Sequence, residues 1–163
     1  MAQLINGKVI SQQIKDELKE KVADLKAQGK EIGMAVIQVG NDPASSVYVG
    51  NKKKACAYIG IRSESYELPE ETTQDELLAL IEKLNADDKI HGILVQLPVP
   101  KHIDEDTIIK AISPKKDVDG FHPQSVGALT IGQPGFVSCT PAGIIQLLKR
   151  SGVEIEGKEC VVI

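Results

Sequence analysis

The sequence predicts a three-layer α/β fold, a mostly parallel sheet with helices on both faces. Three observations point to it. Strand-like apolar runs alternate with helix-periodic segments along the chain. The run over 92–97 is apolar at nearly every position, as in a strand covered on both sides. Glycine and proline mark each change of period. In such sheets crossovers are right-handed and ligands gather outside the carboxyl ends of the strands, so the loops after Val39, Leu97 and Ile112 are where chemistry is expected.

Element by element, Ile10, Ile14, Leu18, Val22 and Leu25 recur at helical spacing between a capping Asn6 and a terminating Gly29, which predicts a helix over 7–28. A strand over 33–39 follows, then the turn residues Gly40, Asn41, Asp42 and Pro43, then a helix over 45–58 stopped at Gly60. Residues 65–68 read as a short strand. Thr73 and Glu76 form a capping box for a helix whose Leu77, Leu80, Ile81 and Leu84 share one face. After the strand over 92–97, bounded by Pro98 and Pro100, a helix over 104–112 is stopped by Pro114. The stretch 114–138, with glycines and prolines among polar residues, is expected to be functional loop with little regular structure. Thr140 is expected to cap a last helix with Pro141 in its first position, Ile144, Ile145, Leu147 and Leu148 on its apolar side and Gly152 at its end. Cys160, Val161, Val162 and Ile163 read as the start of another strand.

Composition narrows the class. With 42% apolar and 26% charged residues in 163, the chain can build an ordinary core. Its net charge of −4 comes from interspersed residues, and no basic face suited to nucleic acid emerges. Cys56, Cys139 and Cys160 are odd in number and lack C-x-x-C spacing, which argues against a disulfide framework or a zinc knuckle and for a reducing, cytoplasmic setting. There is no run of 18 apolar residues and no basic-then-apolar leader, so neither a membrane nor secretion is expected.

Few residues carry chemistry. Tyr48 and Lys52 lie four apart, so on a helix a ring and an ammonium project from one face close to the turn at Gly40. The plain alternative is that Lys52, Lys53 and Lys54 are a solvated charge run; on the sharper reading their crowding, with burial, makes a neutral Lys52 amine available for proton transfer. Gln96 interrupts an apolar run at a strand end, either to cap a loop or to hold another side chain. Asp117 and Asp119 precede Gly120, where an aspartate-stabilised turn competes with a ligand site. A calcium loop is excluded, because placing Gly120 sixth puts Lys115 first and Val126 twelfth, where carboxylates are required. His91, His102 and His122 lack metal-ligand spacing, so no metal is expected. Cys139 opens a helix, a setting that depresses a thiol pKa, yet no partner base is visible, which leaves it structural or a pocket wall. Neither G-x-G-x-x-G nor G-x-x-x-x-G-K-[ST] occurs.

In order, Pro43-Ala44-Ser45, Tyr48-Val49 with Lys52, Lys54 and Ala55, then Gly92 through Pro100, Pro114 with Lys116-Asp117-Val118-Asp119-Gly120-Phe121, and Cys139-Thr140-Pro141-Ala142-Gly143 resemble the motifs of the methylenetetrahydrofolate dehydrogenase/cyclohydrolase family over the whole chain. The resemblance implies oxidation of 5,10-methylenetetrahydrofolate with NADP, or NAD in some members, and hydrolysis of the methenyl product to 10-formyltetrahydrofolate in one cleft. It implies Lys52 as the proton-transferring group, Gln96 as its orienting partner, Tyr48 stacked on the aminobenzoate ring, Asp119 gripping the pterin, and Val95 and Leu97 as walls. Residues 1–138 would be the folate-binding catalytic domain. Residues 139–163 would be a connecting helix and the first strand of an NAD(P)-binding Rossmann domain, Cys139 and Thr140 walling the cofactor pocket. The main cofactor residues of the family lie beyond the position matching Ile163, so the sequence is expected to be cut off there. A cytoplasmic homodimer is implied for the full-length protein. The competing readings are a folate-binding module without catalysis, a monofunctional dehydrogenase, and a flavodoxin-like signalling domain in which Asp119 is only a turn residue. Hydride transfer needs a nicotinamide held against the folate, so the 163-residue chain by itself is expected to reduce no NADP above background in a spectrophotometric assay with methylenetetrahydrofolate.

Overall fold

Strand β1 (Gly33–Val39) is the centre of a three-strand parallel sheet, with β2 (Arg62–Leu68) on one side and β3 (Gly92–Val95) on the other in the computed structural model, which describes residues 4–161. The β1–β2 ladder runs without interruption from Gly33 opposite Arg62 to Val39 opposite Leu68. The β1–β3 ladder runs from Met34 opposite Gly92 to Ile37 opposite Val95, and the Gln96 amide extends it by donating to the Ile37 carbonyl at 2.8 Å. β2 starts three residues before the predicted 65. Arg62, Ser63 and Glu64 hide it, because an edge strand needs no apolar face and charged residues blunt its free side.

Six helices surround the sheet among the described residues. Helix α1 (Gly7–Ala27) is capped as predicted, the Asn6 side chain accepting from the Val9 amide at 3.2 Å. Helix α2 (Pro43–Ile59) begins earlier than the predicted 45. The Asp42 carboxylate accepts from the Ser45 amide at 2.7 Å, Pro43 occupies the first turn, and Gly60 ends the helix at φ 90°. Helix α3 (Gln74–Ala86) opens with the predicted Thr73–Glu76 capping box, and α4 (Glu105–Ala111) is capped by Asp104.

The stretch 114–138 departs from expectation, since it contains helix α5 (Pro123–Thr130). Pro123 pre-sets its first turn, His122 accepts from the Gln124 amide at 3.0 Å, and the Ser125 hydroxyl is tied to Asp117 at 2.8 Å. The last contact anchors the helix to the body of the fold, and it is tertiary, which is why composition pointed to loop. Helix α6 (Cys139–Arg150) also corrects the prediction. Ser138, not Thr140, is at its cap and makes no side-chain cap bond, while Thr140 and Pro141 are inside the first turn. Cys160 and Val161 form no strand, and Val162 and Ile163 lie outside the described residues.

Side chains alternate about the strands and sort the core into two layers. Ala35, Ile37 and Val39 of β1 and Ile93 and Val95 of β3 pack with Leu77, Ile81 and Leu84 of α3 and Ile108 of α4. On the opposite face Val36 and Leu94 meet Val49 of α2. Helix α1 lies on α2, where the Tyr58 hydroxyl donates to Asp16 and accepts from Gln12. Helix α6 has no buried residue and docks on α1 through a bidentate Arg150–Glu17 pair at 2.6 and 2.7 Å. No helix among the described residues is long and apolar enough to cross a membrane.

Ile81 is fully buried at the centre of the larger layer. Ile81→Ala should cost ~2–5 kcal/mol, read as a lowered urea midpoint at unchanged slope.

Candidate active site

The pleat that sends Ile93 and Val95 to one layer sends Leu94 and Gln96 to the other, under α2. Val49 anchors α2 there, and Lys52, three residues on, projects from the same side toward the rim of the sheet. Its Nζ donates to Gln96 Oε1 at 2.9 Å. The Gln96 amide is oriented from its other end, because Nε2 donates to the Leu97 carbonyl at 2.7 Å, so only the carbonyl oxygen can face the amine. Of the two readings of Gln96, the structure shows both in one side chain.

The lysine run does not crowd one spot. Lys53 swings the other way and pairs with Glu67 of β2 at 2.6 Å, so its charge is countered there, while Lys52 turns to β3. Tyr48, one turn before Lys52, is 61% exposed, its ring open to solvent beside the amine. Val95 corrects the expectation of a pocket wall: its side chain belongs to the core layer on the far face of the sheet. Leu97 packs partly against that layer and keeps some free surface.

The carboxylates come from a segment laid against β3. The Ile93 amide donates to the Lys116 carbonyl at 2.8 Å and Ile93 bridges in parallel to Asp117. A Cβ on Gly92 would come within 2.5 Å of Val118 Cγ1, so a larger residue there would have to push the valine side chain aside. Lys116 holds the segment by donating to the Leu84 and Asp87 carbonyls at 3.0 and 2.8 Å, which also caps the end of α3.

Within this segment the two aspartates part company. Asp117, 3% exposed, makes the predicted turn: Oδ1 accepts from the Gly120 and Phe121 amides at 3.1 and 3.4 Å, and Oδ2 from the His122 amide and the Ser125 hydroxyl at 2.9 and 2.8 Å. Asp119 accepts no hydrogen bond from the described residues and is half-buried. Burial pushes its carboxyl above the usual carboxylate range, Lys52 pulls it back, and the Asp117 charge pushes it up again.

Gly120, at φ 70°, lets the chain cross itself, since a Cβ there would lie 2.7 Å from the Ser138 nitrogen. The crossing delivers Cys139, whose Sγ sits 3.8 Å from the Val118 carbonyl. The helix start does not lower the pKa of this thiol, expected to be structural or a pocket wall. Burial raises its pKa, as does the Asp119 charge, and Lys52 opposes them. Lys52, Gln96, Asp119 and Cys139 thus share one rim, with Thr140 exposed beside them. Sequence reasoning missed the role of Ser125 and the meeting of Cys139 with Asp119. The first left no pattern, and the second could have been suspected from a glycine directly after D-x-D.

The histidines are engaged elsewhere. His91 accepts from the Gly33 amide at 3.1 Å, His102 is 2.9 Å from the Thr72 carbonyl, and His122 caps α5. Among the described residues no three His, Cys, Asp or Glu side chains are grouped to hold a metal ion.

Fold and site together define a parallel α/β domain that presents an amine, an amide and a carboxylate at the carboxyl rim of its sheet. A family model described as tetrahydrofolate dehydrogenase/cyclohydrolase, catalytic domain, matches residues 5–119, and the chain belongs to that family. It is 73% identical over 163 residues to the bifunctional protein FolD of Agathobacter rectalis, covering 100% of this chain and 58% of that one. The chain therefore spans somewhat over half the length of the curated relatives it matches. Among solved structures it is similar to the bifunctional FolD enzyme of Campylobacter jejuni, with TM-score 0.93 and 54% identity over 96% of this chain and 56% of that one. It is also similar to the Trypanosoma brucei dehydrogenase-cyclohydrolase complexed with NADP and inhibitor, with TM-score 0.91 and 40% identity over 96% of this chain and 54% of that one.

A raised native pKa at Asp119 has a stability consequence. Between the unfolded and native pKa values the folded state holds the extra proton, so stability falls as pH rises through that window. Asp119→Asn should therefore be more stable than the parent at neutral pH, and chemical denaturation should show the gap closing once the pH drops below the unfolded value.

Proposed function

We propose that this chain is the folate-binding and proton-transferring part of a bifunctional enzyme. The enzyme oxidises 5,10-methylenetetrahydrofolate to the methenyl compound with NADP and hydrolyses that compound to 10-formyltetrahydrofolate. The observation that carries the reading is the 2.9 Å contact between Lys52 and a Gln96 whose amide is locked, beside an Asp119 carboxylate that accepts from none of the described residues.

In the hydrolytic step water adds to the methenyl carbon, the added water loses a proton, and the N5–carbon bond breaks as N5 takes one up. A primary amine can do both transfers, since it accepts and returns a proton from one position. Gln96 can only accept from Lys52, so it holds Nζ in place in either charge state. The pterin offers a ring N–H and an amino group side by side, a match for the two oxygens of Asp119. Tyr48 supplies an open ring face for the aminobenzoyl group.

NADP does not fit the residues present. The described segment has no glycine-rich phosphate cradle, and Cys139 and Thr140 could contribute only a wall. The hydride chemistry is therefore assigned to the protein as a whole, with residues 139–163 leading toward the cofactor domain. The same reading carries a cytoplasmic homodimer for the whole protein.

The openness of the site favours one second reading. Tyr48 is largely exposed, so the cleft has one wall here, and the chain by itself would bind folate without turning it over. Decay of the methenyl chromophore decides. Under the first reading the protein hydrolyses it above the uncatalysed rate and Lys52→Ala lowers the rate by ~10²–10⁴-fold. Equal rates with parent and variant, with folate still bound, leave the binding module. In both readings Asp119→Asn should weaken folate binding by ~1.5–3 kcal/mol, measured by calorimetry, and unchanged affinity would remove Asp119 from the folate site.

A further inference from the structure

The geometry points to Asp117, acting with Ser125, as the positioning residue that aims the Asp119 carboxylate into the folate cleft. The inference rests on the folate reading of Asp119 and deepens it.

Asp117 touches nothing in the cleft. Its two oxygens gather four donors, the amides of Gly120, Phe121 and His122 and the Ser125 hydroxyl, and it is almost fully buried. Those donors are the residues that follow Asp119, so the bonds curl the chain immediately after it and leave its side chain on the outside of the curl. The base of the curl is fixed twice over, by the hydrogen bond the Ile93 N–H donates to the Lys116 carbonyl at 2.8 Å and by the Lys116 ammonium on the end of α3. Ser125 brings in the start of α5, so one carboxylate joins the sheet edge, the turn and a helix. Asp119, by contrast, gets no donor from the described residues to hold its direction, and its aim is inherited from the backbone that Asp117 shapes.

Asp117 also acts through its charge. The charged and titratable groups facing Asp119 are Lys52 from α2, Asp117 from its own loop and, across the chain crossing, Cys139 from α6. Asp117 is the anion among them that raises the carboxyl, so neutralising it moves Asp119 down.

A double-mutant cycle in the protein tests this, with 5,10-methenyltetrahydrofolate as the probe and binding followed against pH. Asp117→Asn should weaken binding ~10-fold, and Ser125→Ala, which keeps the three backbone bonds, by less. In an Asp119→Asn background Asp117→Asn should cost almost nothing further, because the residue it positions is already disabled. The acid limb of the binding profile should move to lower pH in Asp117→Asn, a shift that a purely structural role would not give. If Asp117→Asn fails to fold, Ser125→Ala carries the same cycle. Costs that add fully in the Asp119→Asn background, or an acid limb that stays where it was, overturn the inference. Asp119→Asn without effect by itself defeats the folate reading, and the inference falls with it.

Discussion

β1 lies between two parallel neighbours and is buried on both faces, so it cannot slip by one residue without turning its apolar positions inside out. That locked register decides where everything else stands. Because Ile37 and Val95 pair, Gln96 falls on the α2 side of the sheet, one position past the last strand residue. Because α2 is anchored over Val36 and Leu94 by Val49, the next lysine turn of the helix reaches that position. The amine–amide contact is thus a consequence of strand pairing, with Lys52 on a helix and Gln96 tied to β1 by its own backbone N–H.

A second close fit adds the carboxylate. The segment 116–118 lies along β3 as an extension of the sheet edge, and Gly92, lacking a side chain, leaves room there for Val118. Gly120 performs the same service for the segment 136–138, which brings Cys139 against the site. Two glycines far apart in sequence therefore shape this rim, Gly92 by making room for the Val118 side chain and Gly120 by letting the 136–138 backbone approach its own.

What could be seen in the sequence was whatever depends on neighbours in the chain. The Thr73–Glu76 capping box, the helix of Leu77 and Ile81, the doubly buried β3 and the stop at Gly60 are local, and the structure has them all. The pairing of Lys52 with Gln96 was expected only from the family resemblance, since 44 residues separate them and no periodicity links them. The start of β2 and helix α5 were missed for one reason: each is held by a partner outside its own segment, β1 in one case and Asp117 in the other. The divergence of Lys52 and Lys53 was hidden likewise, because adjacent helix positions point about 100° apart and only the placement of β2 and β3 on either flank says what each finds.

The two aspartates of the loop are served very differently. A buried carboxylate must be matched by donors, and Asp117 is matched by four. Elsewhere the fold observes the same rule, Ser63 Oγ being the buried side-chain atom without a partner among the described residues. Asp119 stands against that economy. It is desolvated, near a like charge and without a donor among the described residues, and of the charges that shift it Lys52 is the one that favours its ionised form. The same backbone could have supplied amides to Asp119, yet they go to Asp117. A fold that satisfies its polar groups and leaves one carboxylate under-served, at the carboxyl rim of a parallel sheet and beside a locked amine, has left room for donors from elsewhere. On the folate reading proposed above, a flat heterocycle with two adjacent N–H groups would supply the donors that Asp119 does not receive from the described residues.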